Sequence, residues 1–166
     1  MTSADVVDIY AKLENFGIKI WVDGGWAVDA LLGKQTRSHA DFDIAIQYKD
    51  IPKLREFLEA RGYREVERDE NKKWNFVLGD NKGCEVDVHA FTFDDKGHVI
   101  EGVEYPEGSL TGTGSIDGYT VRCIDPEHLV KFHTGYKLSE KDFKDVVALC
   151  ERFGIEYPAE YTHLKR

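Results

Sequence analysis

Three aspartates have the residue type and the spacing that chemistry at a phosphate needs: Asp41 and Asp43 in DFDIAIQ, and Asp87 in CEVDVHAF. Apolar and polar residues alternate through both segments, which is the period of a β-strand with two different faces. The two aspartates of the first segment therefore point the same way. Mg²⁺ prefers oxygen ligands, so a strand-borne pair of carboxylates joined by a third from a neighbouring strand suits it. We predict a magnesium site on this face.

A glycine pair precedes the D-x-D strand. Gly24 and Gly25 follow a strand-like run at 18–22 and precede a short helix, WAVDALLG, which Gly33 is expected to close. Glycines permit turns that aim successive backbone N–H groups at an anion, and the N-terminus of the next helix adds favourable partial charge. We predict that this turn binds the triphosphate of a nucleotide, beside a metal that stabilises the leaving pyrophosphate.

Both features also have ordinary explanations. A D-x-D motif on an alternating strand is commonly a solvated face, and a strand-ending Gly-Gly is commonly turn chemistry. Solvation does not, however, require their joint order, which is strand, Gly-Gly, helix, D-x-D strand, hairpin and a strand with a central aspartate. That order favours a functional site.

The helices around these segments are predicted from 3.6-residue periodicity and from capping residues. The first helix has Ser3 as its N-cap and Gly17 just past its end. A later helix runs from about 51 to 61, and two more cover about 126–134 and 139–153. In the last of these, Ser139 and Asp142 have the spacing of a capping box.

Two hairpins are predicted, one joining WNFVLG to CEVDVHAF through DNKG and one joining SI to YTVRC. The glycines of EGSLTGTGS are expected to lie in a loop before the second hairpin. No G-K-[ST] follows them, so a P-loop is rejected.

Composition limits the class of protein and its partners. The 166 residues, 42% of them apolar, suffice for one ordinary domain with a buried core. A net charge of −9 would repel a phosphate backbone, so we expect no nucleic-acid partner. The charged N-terminus does not resemble a signal peptide and no segment has membrane-spanning length, so we expect a cytoplasmic protein without a membrane partner. The three cysteines lie far apart and are expected to be reduced thiols.

Three blocks of the sequence resemble one superfamily. In order from Trp21 onward they are WVDGGWAVDALLGKQTRSHADFDIAI, EVDVHAFTFDDKGHV and HTGYKLSEKDFKDVVAL. The combination resembles the DNA polymerase β-like nucleotidyltransferases and, within them, the small antibiotic nucleotidyltransferases that modify lincosamides and aminoglycosides. The resemblance implies an α+β fold with a mixed, twisted sheet, flanking helices and C-terminal helices. We expect a single domain over 1–166, with a core of about 1–124 and a helical part of about 125–166, and Mg²⁺ as cofactor.

The resemblance assigns roles to individual carboxylates. It implies that Asp41, Asp43 and Asp87 hold the metal. Asp87, or less favourably Glu85, is the candidate general base, because a metal-bound carboxylate near the acceptor can take its proton.

Two further motifs are matched to nucleotide binding. Arg37 and His39 lie in an R-x-H-x-D-x-D arrangement. Arg37 would pair with phosphate oxygens or be a solvated loop cation, and His39 would serve the nucleotide, orient an aspartate or cap the strand. His133 and Tyr136 lie in an H-x-G-Y block, where we expect contact with the nucleotide and core packing is the alternative. The remaining histidines, namely His89, His98, His128 and His163, show no metal-site spacing and are expected to be structural or solvated.

The activity implied is transfer of a nucleoside monophosphate, AMP from ATP, to a hydroxyl of a small antibiotic, and a homodimer is compatible with the resemblance. The segment EVDVHAFTFDDKGHV looks more like the lincosamide enzymes, so a lincosamide acceptor is favoured. Acidic neighbours of that segment, namely Glu85, Asp94, Asp95, Glu101 and Glu104, would suit an aminoglycoside instead. A toxin-type nucleotidyltransferase acting on RNA or protein is disfavoured by the acidic charge, and a non-catalytic nucleotide-binding relative by the three retained carboxylates.

Overall fold

A computed structural model describes residues 1–164 of the chain. Its five α-helices are α1 (Ser3–Asn15), α2 (Gly24–Leu32), α3 (Ile51–Glu59), α4 (Pro126–Phe132) and α5 (Glu140–Phe153). Its eight strands are β1 (Ile20–Val22), β2 (Asp41–Gln47), β3 (Arg64–Val66), β4 (Asn75–Gly79), β5 (Glu85–Phe93), β6 (Val99–Gly102), β7 (Gly112–Ile116) and β8 (Tyr119–Cys123). Short 3₁₀ turns lie at Tyr48–Asp50, Ser109–Thr111 and Ala159–Leu164.

The strands form one mixed sheet in the order β3-β4-β5-β2-β1-β8-β7, with β6 also pairing with β5. The pairs β2–β5 and β1–β8 are parallel, and the remaining pairs are antiparallel. The predicted α+β class with a mixed sheet, flanking helices and C-terminal helices is therefore confirmed. The parallel pairing of β2 with β5 places the two aspartate-bearing strands side by side in the middle of the sheet.

Both predicted hairpins are present. Strands β4 and β5 pair antiparallel across the DNKG turn. Strands β7 and β8 pair antiparallel across Asp117 and Gly118, which both have positive φ, as a two-residue hairpin turn of mirror-image type requires.

Several boundaries differ from the prediction. The N-cap of α1 is Thr2 rather than Ser3, because the hydroxyl of Thr2 accepts the N–H of Asp5 while the carboxylate of Asp5 accepts the N–H of Thr2. Helix α2 begins at Gly24, two residues earlier than WAVDALLG indicated, because Asp23 caps it. Its predicted end is correct, since Gly33 is left-handed.

The glycine-rich segment is mostly strand. Gly112 and Gly114 lie in β7 rather than in a loop. A Cβ on Gly114 would lie 2.4 Å from the backbone of Ala30, so the absence of a side chain lets this strand contact α2 directly. Strands β3 and β6, which have three and four residues, were not predicted.

The buried core lies between the sheet and the helices. One cluster of buried apolar side chains takes in residues from α1, α2, α3, the central strands and the two C-terminal helices. Helix α2 is at its centre, because it contacts β2, β7, β8, α4 and α5. Among residues 1–164, no helix combines the length and the apolar character that crossing a bilayer would demand.

Candidate active site

The register of β2 against β5 sets the geometry of the site. Asp43 pairs with Asp87, Asp41 with Glu85, and Ala45 with His89. Because side chains alternate along a strand, these residues all belong to one face of the sheet. The sequence prediction that the D-x-D motif and Asp87 lie on neighbouring strands is confirmed.

Three side chains on this face form a compact group. One ligand atom from each of Asp43, Asp87 and His89 lies within 4.8 Å of the others. The Nε2 of His89 is 3.3 Å from Oδ1 of Asp43 and 3.8 Å from Oδ1 of Asp87. Asp41 is the first residue of β2, is exposed and does not belong to this group. A metal-binding role for Asp41 therefore stays a prediction.

His89 lies within this group, although the absence of metal-site spacing in the sequence predicts only a structural or solvated residue. Metal-site spacing is defined within one segment of the sequence, whereas His89 lies near Asp43 because two strands pair. A signal was present in the sequence: the alternation of EVDVH puts His89 on the same face as Asp87. The small partner Ala45 faces the imidazole across the ladder.

The charges in this group shift one another. Burial raises the pKa of Asp87, and the charges of Asp43 and Asp41 add to that effect while His89 opposes it. Burial disfavours the imidazolium of His89, but the hydrogen bond to Asp43 and the charges of Asp87 and Asp23 outweigh it and raise the pKa of His89 to about 9. His89 therefore serves as a cation between two crowded carboxylates.

The glycine turn contacts this group directly. Gly24 has φ +57°, and a Cβ there would lie 2.3 Å from Oδ2 of Asp43. A Cβ on Gly25 would lie 2.5 Å from Nη2 of Arg37 and 2.6 Å from Nδ1 of His39. The two glycines thus do more than make a turn, because they let functional side chains lie against the first turn of α2.

Arg37 and His39 belong to one polar network, in which His39 is buried and Arg37 is partly exposed. Arg37 donates from Nη2 and Nε to the two carboxylate oxygens of Asp145 at 2.8 and 3.4 Å. Its Nη1 lies 3.0 Å from Nδ1 of His39, and Nε2 of His39 lies 2.5 Å from Oδ2 of Asp29. Arg37 is thus not merely a solvated loop cation. His39 contacts a buried aspartate, which was one of the alternatives open for it, and the partners Asp29 and Asp145 were not foreseen.

Asp23 and Tyr105 are two further residues that the sequence did not single out. Asp23 caps α2 through Gly24, its backbone N–H donates to the carbonyl of Asp43 at 2.9 Å, and its Oδ2 accepts the hydroxyl of Tyr105 at 2.8 Å. Burial raises the pKa of Asp23. Tyr105 is 82 residues away in the chain, so no local pattern could have found the pair.

The residues of the H-x-G-Y block have intramolecular partners. His133 is buried, and its Nδ1 lies 2.8 Å from the carbonyl of Leu129. Tyr136 is 50% exposed and donates its hydroxyl to Asp142 at 2.9 Å. Contact of His133 and Tyr136 with a nucleotide therefore stays a prediction, and the core-packing alternative agrees with the environment of His133.

A cavity of about 710 Å³ is connected to the glycine turn through Tyr105. Tyr105 forms part of its wall, and the same Tyr105 contacts Asp23 beneath the glycine turn. The remaining wall comes from the end of β5, from 97–102 and from 104–111, and includes Glu101, Glu104 and Glu107.

Comparisons with known proteins show the family to which the sequence is related. Residues 5–149 match the family described as Aminoglycoside-2''-adenylyltransferase. A lincosamide resistance protein of Staphylococcus haemolyticus is 30% identical over 155 residues, which cover 88% of this chain and 92% of that protein. A 2''-aminoglycoside nucleotidyltransferase of Escherichia coli is 30% identical over 126 residues, which cover 74% of this chain and 67% of that protein.

Solved structures share the fold. The lincomycin-bound lincosamide antibiotic adenylyltransferase LnuA has a TM-score of 0.78 at 26% identity, covering 90% of this chain and 96% of its own. The complex of ANT(2'')-Ia with adenylyl-2''-tobramycin has a TM-score of 0.76 at 23% identity, covering 98% of this chain and 92% of its own. Fold, site and relatives together define a nucleotidyltransferase. Within that class, the chain belongs to the Aminoglycoside-2''-adenylyltransferase family.

Proposed function

We propose that this nucleotidyltransferase transfers AMP from ATP to a hydroxyl of a small antibiotic, with Mg²⁺ as cofactor. The observation that carries the proposal is the contact between Asp43 and the first turn of α2, because it brings a carboxylate group and an anion-binding helix end together. The names of the relatives support the acceptor class, since one is a lincosamide resistance protein and another a 2''-aminoglycoside nucleotidyltransferase.

The side chains at the site suit Mg²⁺. Asp43 and Asp87 offer the carboxylate oxygens that this ion prefers, and a cation between them would offset their mutual repulsion. Asp43 and Asp87 would hold the ion. Asp41, which lies two residues before Asp43 on β2, is the proposed third ligand. When bound, the metal would offset charge on the phosphates.

The chain's own groups have the remaining tasks. The N–H of Gly24 donates to Asp23, so the Gly24-Gly25 turn would bind the triphosphate through the backbone N–H groups that follow Gly24. Arg37 would bind it through its guanidinium. Asp87 is the proposed general base, because a metal-bound carboxylate near the acceptor can take its proton. Glu85 is less suited, since Arg68 donates to its Oε2 at 2.6 Å. His133 and Tyr136 remain proposed nucleotide contacts.

We favour a lincosamide as the acceptor. The lincosamide resistance protein matches over 88% of this chain, compared with 74% for the aminoglycoside enzyme. The second candidate is an aminoglycoside, because three carboxylates border the cavity and would attract a polycationic sugar.

The test is a transfer assay. Purified protein, ATP and Mg²⁺ are incubated with a panel of lincosamides and aminoglycosides, and the products are analysed by mass spectrometry for drug plus AMP. We expect adducts with a lincosamide at the highest kcat/KM. Higher kcat/KM for aminoglycosides would select the second candidate, and no adduct with any drug would refute the proposal.

We also place the enzyme in the cytoplasm, where ATP is available and where the free thiols Cys84, Cys123 and Cys150 would stay reduced. A homodimer is proposed from family resemblance, and light scattering of the purified protein tests it.

A further inference from the structure

The C-terminal helix α5 contributes a charged side chain to the neighbourhood of the glycine turn. Asp145 lies on α5, and its side chain is 3% exposed. Its partner Arg37 comes from the segment before β2, 108 residues earlier in the chain. The two oxygens of Asp145 meet Nη2 and Nε of Arg37, which is a two-point contact that fixes the plane of a guanidinium as well as its position.

His39 holds the same guanidinium from another side. Nη1 of Arg37 can only donate, so Nδ1 of His39 accepts and Nε2 carries the proton that points to Asp29. Asp29 is itself fixed, because its other oxygen accepts from the backbone N–H and the hydroxyl of Thr36 at 3.0 and 2.6 Å. Arg37 is thus held between two anchored groups on different elements.

The contacts with Asp145 and His39 leave Arg37 able to bind an anion. Nη2 has two hydrogens and donates one to Asp145, so within residues 1–164 one N–H of Nη2 has no acceptor. A Cβ on Gly25 would lie 2.5 Å from Nη2, so this nitrogen lies against the first turn of α2. Arg37 also keeps 27% of its side chain exposed. An anion at this helix end would therefore meet a donor whose direction Asp145 has set.

We propose that Asp145 is a positioning residue for the nucleotide: it fixes Arg37 so that its free N–H points at the triphosphate beside the Gly24-Gly25 turn. The inference rests on the proposed function for the identity of the anion. It makes α5 a part of the nucleotide site rather than a covering helix. Loss of Asp145 would weaken ATP binding through Arg37 and would leave acceptor binding unchanged.

The test measures binding of ATP with Mg²⁺ by calorimetry, without any drug, for four variants. Asp145→Asn removes the charge with little change in shape, Arg37→Lys removes the planar donors, and the double variant combines both. Glu151→Gln, an exposed change of the same charge on the same helix, is the control. We expect Asp145→Asn to weaken ATP binding about tenfold and Glu151→Gln to leave it unchanged.

The double variant separates positioning from mere structural support. If Asp145 acts through Arg37, the double variant binds ATP no more weakly than Arg37→Lys alone. Steady-state kinetics should show a raised KM for ATP and an unchanged KM for the drug. Additive losses, or full ATP binding by Asp145→Asn, would overturn the inference.

Failure of the inference is distinguishable from failure of the proposed function. Wild-type protein that does not bind ATP with Mg²⁺ overturns both, whereas wild-type binding that survives Asp145→Asn overturns only the role of Asp145. Thermal unfolding establishes that each variant is folded at the assay temperature. If Asp145→Asn is not, Asp145→Glu, which keeps the charge but moves it by one methylene, replaces it with the same expected and contrary results.

Discussion

The carboxylate site and the cavity are built on different kinds of structure. The carboxylates lie on β2 and β5, which pair without interruption from Asp41 to Gln47 in the middle of the sheet. The cavity is bordered by β6, whose pairing with β5 shifts register at Thr92 and Phe93, and by the segment 104–111. Ile100 in that wall is 61% exposed. Backbone pairing fixes the positions of the carboxylates, whereas the wall of the cavity is less regularly paired.

The largest effect should follow a change on the central strands. Asp43→Asn should lower nucleotide transfer on the order of 1,000-fold, equivalent to ~4 kcal/mol of transition-state stabilisation, because an amide cannot replace a metal-binding charge. The midpoint of thermal unfolding should not fall in parallel, since the removal of repulsion between Asp43 and Asp87 offsets the loss of attraction between Asp43 and His89. Transfer assays and thermal unfolding, each with and without Mg²⁺, measure both quantities.

Mg²⁺ itself provides the control for Asp43→Asn. It should raise the unfolding midpoint of the wild-type protein and have little effect on the variant, because a ligand stabilises only the state that binds it. Full transfer activity in a folded Asp43→Asn variant would rule out the metal site.

A matched pair on β5 tests which of its two carboxylates the reaction needs. Asp87→Asn should lower kcat about 100-fold or more, in the usual range for loss of a general base. Glu85→Gln, two residues away on the same strand, should change kcat by less than about threefold, because Arg68 already binds that side chain. Comparable losses in the two variants, measured at saturating ATP and drug, would remove the distinction.

A smaller effect is expected where the two regions meet. Tyr105→Phe keeps the ring in the cavity wall but removes the hydroxyl that Asp23 accepts. We expect a loss of about 1 kcal/mol in the free energy of unfolding and about a tenfold lower kcat/KM, because Asp23 also holds the first turn of α2. Denaturant unfolding and steady-state kinetics provide the two numbers.

Tyr119→Phe is the control for that variant, because Tyr119 is an exposed tyrosine on β8 outside the cavity wall. If Tyr105→Phe alters only the KM for the drug, the cavity and the turn work independently, and the link through Asp23 is wrong.

The smallest effect is expected in the cavity wall. Glu104→Gln should lower kcat/KM for an aminoglycoside about two- to fivefold and leave the KM for ATP unchanged, because an exposed charge acts mainly on cationic ligands. Lincosamide transfer should not change. The matched control is Glu59→Gln, an exposed position at the end of α3. A raised KM for ATP in Glu104→Gln would show that the wall and the carboxylate site are not separable.

The contrast between the central strands and the cavity wall also explains what the sequence could predict. Alternation in DFDIAIQ and CEVDVHAF revealed both strands and the face that carries Asp43 and Asp87, because that information is local. Strands β3 and β6 were missed because three or four residues carry no clear period, and they are strands only through their partners.

The site shows the same limit. The Gly24-Gly25 turn and the D-x-D motif were recognised from short segments, whereas His89 joined them only through the parallel register of β2 and β5. The contact between Arg37 and Asp145 spans 108 residues and leaves no local trace. Ser3 and Thr2 illustrate a milder ambiguity, since either hydroxyl could cap α1 and only the partner Asp5 decides between them.

The contact of β7 with α2 couples this strand to the position of the helix. Gly114 lies against Ala30 near the C-terminal end of α2, and the glycine turn is at the other end, six residues away or roughly 9 Å along the helix axis. A side chain at position 114 would displace the C-terminal end of α2 from β7. Because a helix is rigid, this displacement would tilt α2 and also move its N-terminal end. Gly114 is thus a remote point from which the alignment of the turn can be altered without a change to any residue of the site.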